Sequence, residues 1–450
     1  MSKTVEEINH KIQNKKAVVL TADEMTKLVQ NIGPEKAAQE VDVVTTGTFG
    51  AMCSSGAWLN FGHADPPIKM ANVWLNDVSA YSGVAAVDAY LGATQPSDKQ
   101  GIFYGGAHVI EDLVKGNTVV LKAFAHGTDC YPRKEVLSAI SLDDLNQATM
   151  CNPRNAYQKY CAAVNSSEKT LQTYMGKLLP RCANITYSGA GELSPLNNDP
   201  HGRTFGVGTR IFLGGGFGFI TGSGTQTDPD HGFSTLMVQG DLKRMSPEFL
   251  KAAVFNGYGP TLYVGIGLPI PVLDADIAAC TGISDAEINV PVLDYGIASR
   301  DRPVLKEVSY GNLKSGWVEA QGKRIKTSPL SSFAWAKKVA LELKQWIEAG
   351  RFFLTIPVEA LPSRGSVKTL SVRIPKTDEL PSASRFSSIT EDRIQREESL
   401  CIHCGHCISL CEEDVFHLDN KWHVIVDAEK CTSCGTCCDA CPTGALFLVS

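Results

Sequence analysis

The chain has 450 residues, of which 43% are hydrophobic and 20% are charged, a composition typical of a soluble globular protein with two or three domains. Its formal net charge is −6, and residues 399–450 account for most of it, with seven acidic side chains against two lysines. Because no basic stripe is present, we expect neither nucleic acid nor an anionic membrane as a partner.

The sequence shows no sign of export or of a membrane span. The first residues, MSKTVEEINHKIQ, lack the apolar core of a signal peptide, and no apolar run approaches the ~20 residues that a spanning helix needs. We therefore expect a cytoplasmic protein whose cysteines serve thiol or metal chemistry rather than disulfides. Of the fifteen cysteines, nine lie in residues 401–441 and six are scattered over the preceding body: Cys53, Cys130, Cys151, Cys161, Cys182 and Cys280.

Helix starts are marked at four places along the body. Three segments have the capping-box spacing, and a serine followed by proline gives a fourth N-cap. These segments are residues 4–7, 21–24 and 284–287 and the pair Ser246-Pro247. A longer amphipathic helix is predicted over residues 331–349, with Gly350 at its C-terminal boundary.

Short apolar runs between these helices predict strands at residues 41–45, 118–125, 210–213, 235–239 and 262–266. Residues 304–326, with a turn at Gln321-Gly322, predict an antiparallel hairpin. The sequence thus predicts an α/β body with mixed sheets over residues 1–360. Residues 361–394, rich in Pro, Ser, Arg and Lys, predict a linker in which VKTLSVRI has the composition of one further strand.

The C-terminal tail contains two copies of one cysteine spacing, in CIHCGHCISLC and CTSCGTCCDACP. In such a run three cysteines hold one [4Fe–4S] cluster and the fourth ligates the neighbouring cluster. The tail resembles a bacterial-type ferredoxin domain, which implies a small α+β domain over residues 395–450 with two [4Fe–4S] clusters. The predicted ligands are Cys401, Cys404, Cys407 and Cys441 for one cluster, and Cys431, Cys434, Cys437 and Cys411 for the other.

Two zinc sites are the alternative for the tail, because CxxC pairs also bind zinc. Zinc would need neither the third cysteine of each run nor the repeated ending, so the cluster interpretation is favoured. Cys438 stands outside both ligand sets, and Glu412 occupies a place where the first ferredoxin motif often has proline. Neither feature removes a predicted ligand.

Two body cysteines lie in polar loops that follow predicted strands. Cys53 lies in GAMCSSGAW, and Cys130 lies in HGTDCYPRKE. Because ligands of α/β sheets gather at the carboxyl ends of strands, we predict that the two thiols converge on one cleft, in the same or an adjoining copy of the chain. The neighbouring His63 and His126 are candidates for proton transfer.

Other interpretations of these residues stay open. The two thiols are ordinary loop cysteines in one, and form a zinc site with the two histidines in the other, although no Cys–His pair has a compact ligand spacing. The other four body cysteines are predicted to pack as small apolar side chains. The glycine-rich segment RIFLGGGFGFITGSGTQ has no nucleotide-binding register and predicts close packing or the approach of substrate to the backbone.

Several long strings of the body together resemble one known family. They are VVTTGTFGAMCSSGAWLNFGHADPPIKM, NDVSAYSGVAAVDAYLGAT, GTDCYPRKE, SGAGELSPLNNDP and GTRIFLGGGFGFITGSGTQ. They are similar to the homocysteine biosynthesis domain of methanogens and other anaerobes, the L-aspartate semialdehyde sulfurtransferase family, over about residues 1–360. The resemblance implies catalytic roles for Cys53 and Cys130. Family members often work with a separate ferredoxin-like subunit, whereas here the predicted clusters belong to the same chain. No CBS-type regulatory domain, which some members carry, is evident in the sequence.

The activity implied by this resemblance is a two-electron reduction, RCHO + H2S + 2e⁻ + 2H⁺ → RCH2SH + H2O. Two one-electron clusters match its stoichiometry, and an external low-potential donor would reduce them. Cys53 and Cys130 would cycle through a disulfide that sulfide opens to a persulfide. The substrate carboxylate needs a cation, for which Arg154 and Arg210 are candidates with Lys69 behind them. A homo-oligomer is compatible with this scheme.

Two other functions remain as alternatives. The chain could be a non-catalytic iron–sulfur protein in which paired thiols act as a redox or sulfide sensor. It could also be a sulfurtransferase that acts on a different short aldehyde.

Overall fold

The computed structural model describes residues 2–155, 160–370, 372 and 393–449. The chain divides into two compact units, Met1–Lys368 and Thr369–Ser450, each with its own apolar core. The first unit extends past residue 360, because Asp230 N donates to Gly365 O at 3.3 Å and Ser366 Oγ donates to Asp230 at 3.1 Å. Most of the predicted linker, and residues 371 and 373–374 of VKTLSVRI, lie outside the described residues.

A nine-stranded antiparallel sheet forms the centre of the first unit. In spatial order its strands are β20 (Leu250–Phe255), β21 (Gly259–Gly267), β17 (Arg210–Leu213), β18 (Gly216–Ser223), β19 (Leu236–Asp241), β12 (Gln147–Asn155), β4 (Gly56–Asn60) and β7 (Asp88–Gly92), and β3 (Thr48–Ala51) pairs with β21. Alternate residues of β4 and β12 are buried, so one face of the sheet packs on the core and the other is accessible.

A six-stranded antiparallel sheet packs beside it. Its strands in spatial order are β11 (Glu135–Ile140), β10 (Val119–Phe124), β5 (Asn72–Leu75), β6 (Val78–Ala80), β8 (Pro96–Ser97) and β9 (Gly101–Gly105). Leu121 and Ala123 of β10 are buried, whereas Val120 and Leu137 of the β10–β11 hairpin are exposed. Strand β11 lies at one edge of this sheet.

A mixed six-stranded sheet carries the remaining large core cluster of the unit. Its strands in spatial order are β24 (Val304–Ser309), β23 (Asn289–Asp294), β13 (Ala162–Val164), β16 (Asn184–Tyr187), β26 (Lys323–Pro329) and β25 (Trp317–Ala320). The pairs β13–β23 and β16–β26 are parallel. Smaller sheets are formed by β1 (Val19–Thr21), β2 (Val43–Thr45) and β22 (Pro269–Pro271), and by β14 (Leu171–Thr173) with β15 (Gly176–Leu178).

The helices of the first unit are short apart from one. They are α1 (Val5–Gln13), α2 (Ala22–Ile32), α3 (Pro34–Glu40), α4 (Gly106–Val114), α5 (Pro195–Asn198), α6 (Ala275–Thr281), α7 (Tyr310–Lys314) and α8 (Phe333–Glu348). Helix α8 is the predicted amphipathic helix, capped by Ser332 and packed through a buried stripe against β1, β3 and β21. In the described part of the chain, no helix is long and apolar enough to cross a membrane.

The capping signals predicted some helices correctly and others wrongly. Thr4 and Thr21 each form the reciprocal capping box at the start of a helix. Ser284 makes the same side-chain bond with Glu287, yet the segment is a single turn, and Ser246 also begins a turn. In both of these wrongly predicted segments a strand, β23 or β20, begins a few residues later. The backbone groups that a helix would use therefore form hydrogen bonds within a sheet.

The five predicted strands are all present, with small shifts of their ends. The predicted hairpin over residues 304–326 is only half correct. Strands β25 and β26 do pair across the Gln321-Gly322 turn, but β24 pairs with β23 and is separated from β25 by α7. The glycine-rich segment is the β17–β18 hairpin, whose turn uses Gly214 and Gly215 at φ of 59° and 91°. Its glycines therefore serve a tight turn and close packing.

A close approach between chain segments fixes the N-terminal end of β3. A Cβ on Gly47 would lie 2.1 Å from the carbonyl oxygen of Ala336 in α8. Since real Cβ atoms do not approach backbone oxygen so closely, only glycine allows the β2–β3 segment to pack against this helix. The segment that leads to Cys53 is thereby held in one position.

The second unit contains an approximate duplication with an offset of thirty residues. Helices α9 (His406–Leu410) and α10 (Thr436–Ala440) each begin after a left-handed glycine, Gly405 or Gly435. Its strands are β27 (Ile394–Arg396), which pairs with β30 (Leu446–Leu448), and β28 (Phe416–Leu418), which pairs with β29 (Val424–Val426). This small β/α arrangement agrees with the predicted ferredoxin-like fold.

Candidate active site and iron–sulfur centres

Cys53 lies in a tight turn between β3 and β4. Its Sγ is 3.3 Å from Thr261 Oγ1 on β21, and the backbone of Met52 donates to Leu262 O at 2.7 Å. The thiol is partly buried rather than enclosed. The turn is therefore anchored to β21 while the sulfur stays accessible.

Two tyrosines of the same region surround the Cys53 turn. Burial, together with the charge of the Cys53 sulfur, raises the pKa of Tyr263 to about 12 and also raises the pKa of Tyr258. Tyr263 OH donates to Leu330 O at 2.8 Å, which joins the nine-stranded sheet to the residue after β26 of the mixed sheet. Cys53 thus lies where these two sheets meet.

A buried polar chain connects the Cys53 turn with β12. Asn152 Nδ2 donates to Ser55 Oγ at 2.8 Å, and Asn155 Nδ2 donates to Asn152 Oδ1 at 2.9 Å. Arg154 on the same strand donates from Nε to Thr225 Oγ1 at 3.2 Å. Of the three predicted substrate-binding cations, Arg154 is therefore the one placed near Cys53.

Cys130 lies in the loop of the β10–β11 hairpin and is exposed. The loop is held against residues 65–67. Arg133 N donates to Pro67 O at 3.2 Å, and Arg133 Nε donates to Pro66 O at 2.9 Å. Within the loop, Thr128 and Tyr131 exchange two backbone hydrogen bonds. A firmly anchored hairpin thus presents this thiol to solvent.

The predicted proton-transfer residues lie at the Cys130 end of the structure. His63 is exposed, and its ring stacks on Tyr131 at a centroid distance of 5.9 Å. His126 is exposed in the hairpin loop itself, and Lys69 is exposed in the segment that contacts this loop. The predicted site residues therefore separate into a Cys53 group and a Cys130 group.

Within one chain, the Cys130 loop does not contact the Cys53 turn, so a common pocket of the two thiols, in the same or an adjoining copy, stays a prediction. Cys53 lies beyond the Gly56 end of β4, whereas the Cys130 loop contacts the segment that follows the Asn60 end. The strand alone rises about 13 Å between these ends. The strand-end rule holds for parallel sheets, but these sheets are antiparallel, so the carboxyl ends of neighbouring strands point to opposite edges.

Arg210 lies outside both groups. Its backbone N donates to Thr355 Oγ1 at 2.8 Å, and its guanidinium is 5.7 Å from the Phe217 ring. Phe212, two residues after Arg210, pairs with Gly267 of β21. Thr261, which contacts Cys53, lies six residues earlier on the same strand. Six residues of strand correspond to about 20 Å. The two-cysteine, two-histidine zinc alternative is not formed in the described ranges either.

The sequence did not reveal an aromatic group beside the Cys53 turn. Tyr174, in the β14–β15 turn, lies 6.4 Å from the Tyr258 ring and hydrogen-bonds Tyr295 between hydroxyls at 2.8 Å. Burial raises the pKa of Cys161, while Tyr295 and Arg302 act in the opposite direction. Tyrosines at unrelated sequence positions gave no local pattern by which to find this group.

In the second unit, one cavity is lined by five of the predicted ligands: Cys401, Cys404, Cys407, Cys437 and Cys441. No three His, Cys, Asp or Glu side chains converge closely enough for a single metal ion anywhere in the described ranges. The thiols instead surround a space, which suits a cluster whose iron atoms each take one thiolate. The cavity brings three thiols of the first run together with Cys441, as the predicted crossed ligation requires, and Cys437 of the other predicted set also lines it.

The second ligand set is also brought together. Burial and the neighbouring thiols of Cys438, Cys411 and Cys431 raise the pKa of Cys437 to about 12. Such crowded thiols become thiolates only when cations compensate their charge, which iron in a cluster does. Cys411 of the first run is thus close to the second run, while Cys438 is adjacent to the group without being required by it.

Comparison with known proteins agrees with this division of the chain. Residues 17–354 match the family described as "Homocysteine biosynthesis enzyme, sulfur-incorporation", and residues 400–445 match the "4Fe-4S dicluster domain". A protein of Methanosarcina acetivorans named "L-aspartate semialdehyde sulfurtransferase" is 58% identical over 370 residues, which cover 82% of this chain and 74% of that protein.

Two further relatives are similar to the body and to the C-terminal tail, respectively. A Methanocaldococcus jannaschii protein of the same name is 55% identical over 374 residues, 80% of this chain and 73% of that protein. The "Formate dehydrogenase iron-sulfur subunit" of Wolinella succinogenes is 38% identical over 66 residues, 14% of this chain and 33% of that protein. This chain therefore belongs to the sulfur-incorporating homocysteine biosynthesis enzyme family and carries an iron–sulfur dicluster domain at its C-terminal end.

Proposed function

We propose that this chain converts L-aspartate semialdehyde and sulfide to L-homocysteine, with electrons delivered through two [4Fe–4S] clusters. The observation that carries the proposal is the family match over residues 17–354 in a chain that also matches a dicluster domain. The names of the two methanogen relatives supply the substrate class. When bound, the clusters supply the two electrons of the reduction one at a time.

The two thiols carry the sulfur in this proposal. Sulfide opens a Cys53–Cys130 disulfide and leaves a persulfide on one residue and a thiol on the other. The terminal persulfide sulfur adds to the aldehyde carbon, and the carbonyl oxygen takes a proton. The free thiolate then attacks the cysteine sulfur of the adduct, which restores the disulfide and releases a thiohemiacetal. Loss of water gives a thioaldehyde, and two electrons and two protons convert it to the thiol.

The Cys53 turn precedes β4 and the Cys130 loop contacts the segment that follows it, so in this proposal the disulfide joins two copies of the chain. Cys130 supports such an arrangement, since it is exposed on an anchored hairpin next to the edge strand β11. The hairpin would bring His63 and His126 to the Cys53 turn of the partner copy. Each complete site then contains one Cys53 group and one Cys130 group.

Single substitutions and their mixture test this arrangement. Cys53→Ala and Cys130→Ala each abolish homocysteine formation from semialdehyde, sulfide and a low-potential reductant, while the iron–sulfur absorbance stays intact. Cys280→Ala, in α6, is the control and keeps full turnover. Coexpression of the two inactive variants restores about one quarter of wild-type turnover, because half of randomly formed dimers contain one intact site.

Each negative result contradicts a different part of the proposal. No recovery in the mixture would contradict thiol pairing between copies, and turnover by either single variant would remove the dithiol cycle. A wild-type chain with full clusters but no homocysteine would contradict the enzyme activity and favour the redox or sulfide-sensing alternative.

The histidines have a test of their own. His63→Gln or His126→Gln lowers turnover by about 10²-fold, since addition and dehydration both need proton transfer. His10→Gln on the exposed face of α1 is the control. Rates are measured across pH, and a profile identical to the wild type would exclude the substituted histidine.

A further inference from the structure

We propose that Arg302 binds the carboxylate of the aldehyde substrate beside Cys53 and that Tyr174 and Tyr295 hold its guanidinium in place. This inference rests on the proposed function and names the residue that recognises the acid group of the substrate. Arg302 was not among the three cations that the sequence suggested.

The guanidinium of Arg302 is fixed by two aromatic residues. Its Nη1 donates to Tyr174 OH at 3.1 Å, and its central carbon lies 4.4 Å from the centroid of the Tyr295 ring. The hydroxyls of the two tyrosines are 2.8 Å apart, so each also fixes the other. These contacts leave Nε and Nη2 for a ligand. Two parallel N–H donors on a planar group match the geometry of a carboxylate.

In the part of the chain that the structure describes, Arg302 has no acidic partner. Among the described residues, no carboxylate lies within ion-pair distance of its guanidinium, whereas Arg203 and Arg181 of the same unit each pair with an acid. The groups that face Arg302 are the phenols of Tyr174 and Tyr295 and the Cys161 thiol. An exposed, oriented and uncompensated cation of this kind favours an anionic ligand.

The loop that carries Arg302 is strained. Residues 295–303 join β23 to β24, and both Arg300 and Arg302 adopt left-handed φ values, 61° and 51°. Non-glycine residues in this region cost about 1–3 kcal/mol each and persist only where their surroundings fix them. Asp294 anchors the start of the loop by accepting bonds from Ser166 N and Gly296 N. A loop that is held in a disfavoured backbone conformation is consistent with the placement of a functional side chain.

Arg302 is connected to the Cys53 turn through aromatic contacts. Its central carbon is 5.9 Å from the Tyr174 ring, which is 6.4 Å from the Tyr258 ring beside Cys53. If the carboxylate of the four-carbon aldehyde is paired with Arg302 and its aldehyde carbon is bonded to a persulfide on Cys53, the guanidinium carbon and the cysteine sulfur are at most about 12 Å apart. The proposal therefore requires the guanidinium carbon of Arg302 and Cys53 Sγ to lie within about this length of each other.

Arg154 is the competing cation, because it also lies near the turn and lacks an acidic partner in the described residues. Its guanidinium contacts Thr225 Oγ1 at 3.2 Å, but no aromatic ring holds it. The two arginines are on different sheets, so separate substitutions distinguish them. Arg300, in the same strained loop as Arg302, provides a control for damage to the loop.

Steady-state rates of Arg302→Gln, Arg154→Gln and Arg300→Gln, with L-aspartate semialdehyde and with butanal, test the inference. For Arg302→Gln we expect the KM for the semialdehyde to rise at least tenfold with a smaller change in kcat, and the butanal rate to equal that of the wild type. Arg302→Lys keeps the charge but loses the fork, so its KM lies between the two. Arg300→Gln behaves as the wild type, and Arg154→Gln changes the KM less than Arg302→Gln does. An unchanged KM in Arg302→Gln, or the same rise in Arg154→Gln, overturns the inference.

A binding measurement separates this inference from the proposed reaction. Cys53→Ala chains that cannot turn over are titrated with L-aspartate semialdehyde by calorimetry, with and without Arg302→Gln. Affinity that falls at least tenfold supports the carboxylate site even if no homocysteine is formed by the wild type. Equal affinity with and without Arg302 rejects the site even if the wild type is fully active.

Discussion

The two cysteine-rich parts of the chain differ in how their sites are built. In the second unit, eight predicted ligands lie within 41 residues, and one repeated spacing brings five of them around one cavity. In the first unit, the surroundings of the Cys53 turn come from β12, β21 and, through Tyr258, the β14–β15 turn. Local spacing is thus sufficient for a cluster site, whereas sheet register determines which side chains meet a single reactive thiol.

The largest effect on iron content and activity is expected from substitution of Cys441, the fourth cysteine of the second run. Cys441→Ala removes a thiol that lines the first cavity together with three thiols of the other run. We expect iron to fall from about eight to about four atoms per chain and homocysteine formation to cease. Iron analysis and absorbance measure the loss. Cys438→Ala is the matched control, and its loss of iron would contradict the ligand assignment.

A glycine of the body gives the next largest effect. Gly47→Ala forces a Cβ against Ala336 O, where the separation would be 2.1 Å, so backbone must move. We expect a loss of about 3 kcal/mol or more in the free energy of unfolding. Urea unfolding followed by tryptophan fluorescence measures it. Gly92→Ala, where an added Cβ would meet nothing within 4 Å, is the control, and equal stability of both variants would reject the close approach.

Asp42 predicts a pH-dependent effect in the body. Its carboxylate is 1% exposed and contacts Lys3 Nζ at 3.1 Å and Lys11 Nζ at 2.6 Å. Burial opposes ionisation, but the two lysines and the Val18 amide outweigh it, so the pKa of Asp42 is lowered. Its stabilisation is therefore complete above the unfolded pKa of about 4 and is lost as the pH falls through the lowered folded value.

Asp42→Asn should cost about 2 kcal/mol of unfolding free energy at neutral pH. The difference from the wild type should shrink at acidic pH, where both side chains are neutral. Urea unfolding at several pH values measures it, with Glu40→Gln at an exposed neighbouring position as the control. A difference that stays constant with pH would show that the ion pairs are not its cause.

The smallest effect is expected at Glu412 in the tail. This exposed residue follows Cys411, as Pro442 follows Cys441 in the second run. Glu412→Pro should leave the iron content unchanged, because it removes no thiol, and should raise the reduction potential slightly by deleting a negative charge near a cluster. Voltammetry detects the shift. Loss of iron would show that the two runs tolerate different residues after the fourth cysteine.

Sequence reasoning was most successful where a pattern is local. The capping boxes at Thr4 and Thr21, the apolar stripe of α8 and the strands β10 and β17 depend on neighbouring residues and were predicted correctly. The capping signal at Ser284 failed because a cap satisfies only the first amides of a helix and does not supply an apolar face. The nearby residues pair in a sheet instead.

Long-range placement could not be predicted in the same way. Cys53 and Cys130 were identified as loop thiols, but their separation depends on whether neighbouring strands run parallel or antiparallel, which single strands do not reveal. Arg302 and Tyr174 are 128 positions apart and meet only because β23, β13 and β16 form one sheet next to the β14–β15 turn. No periodicity in the sequence records such a contact.

The bond from Tyr263 to Leu330 has a consequence for how such proteins can diverge. It joins the sheet that bears Cys53 to the sheet whose loop bears Arg302, so in the proposed reaction sulfur transfer and recognition of the acid group depend on two different sheets. On this proposal, substitutions in residues 295–303 of a related protein would change its aldehyde specificity without changing the residues that transfer sulfur. Inherited variation among relatives should therefore concentrate in that short loop when their natural substrates differ.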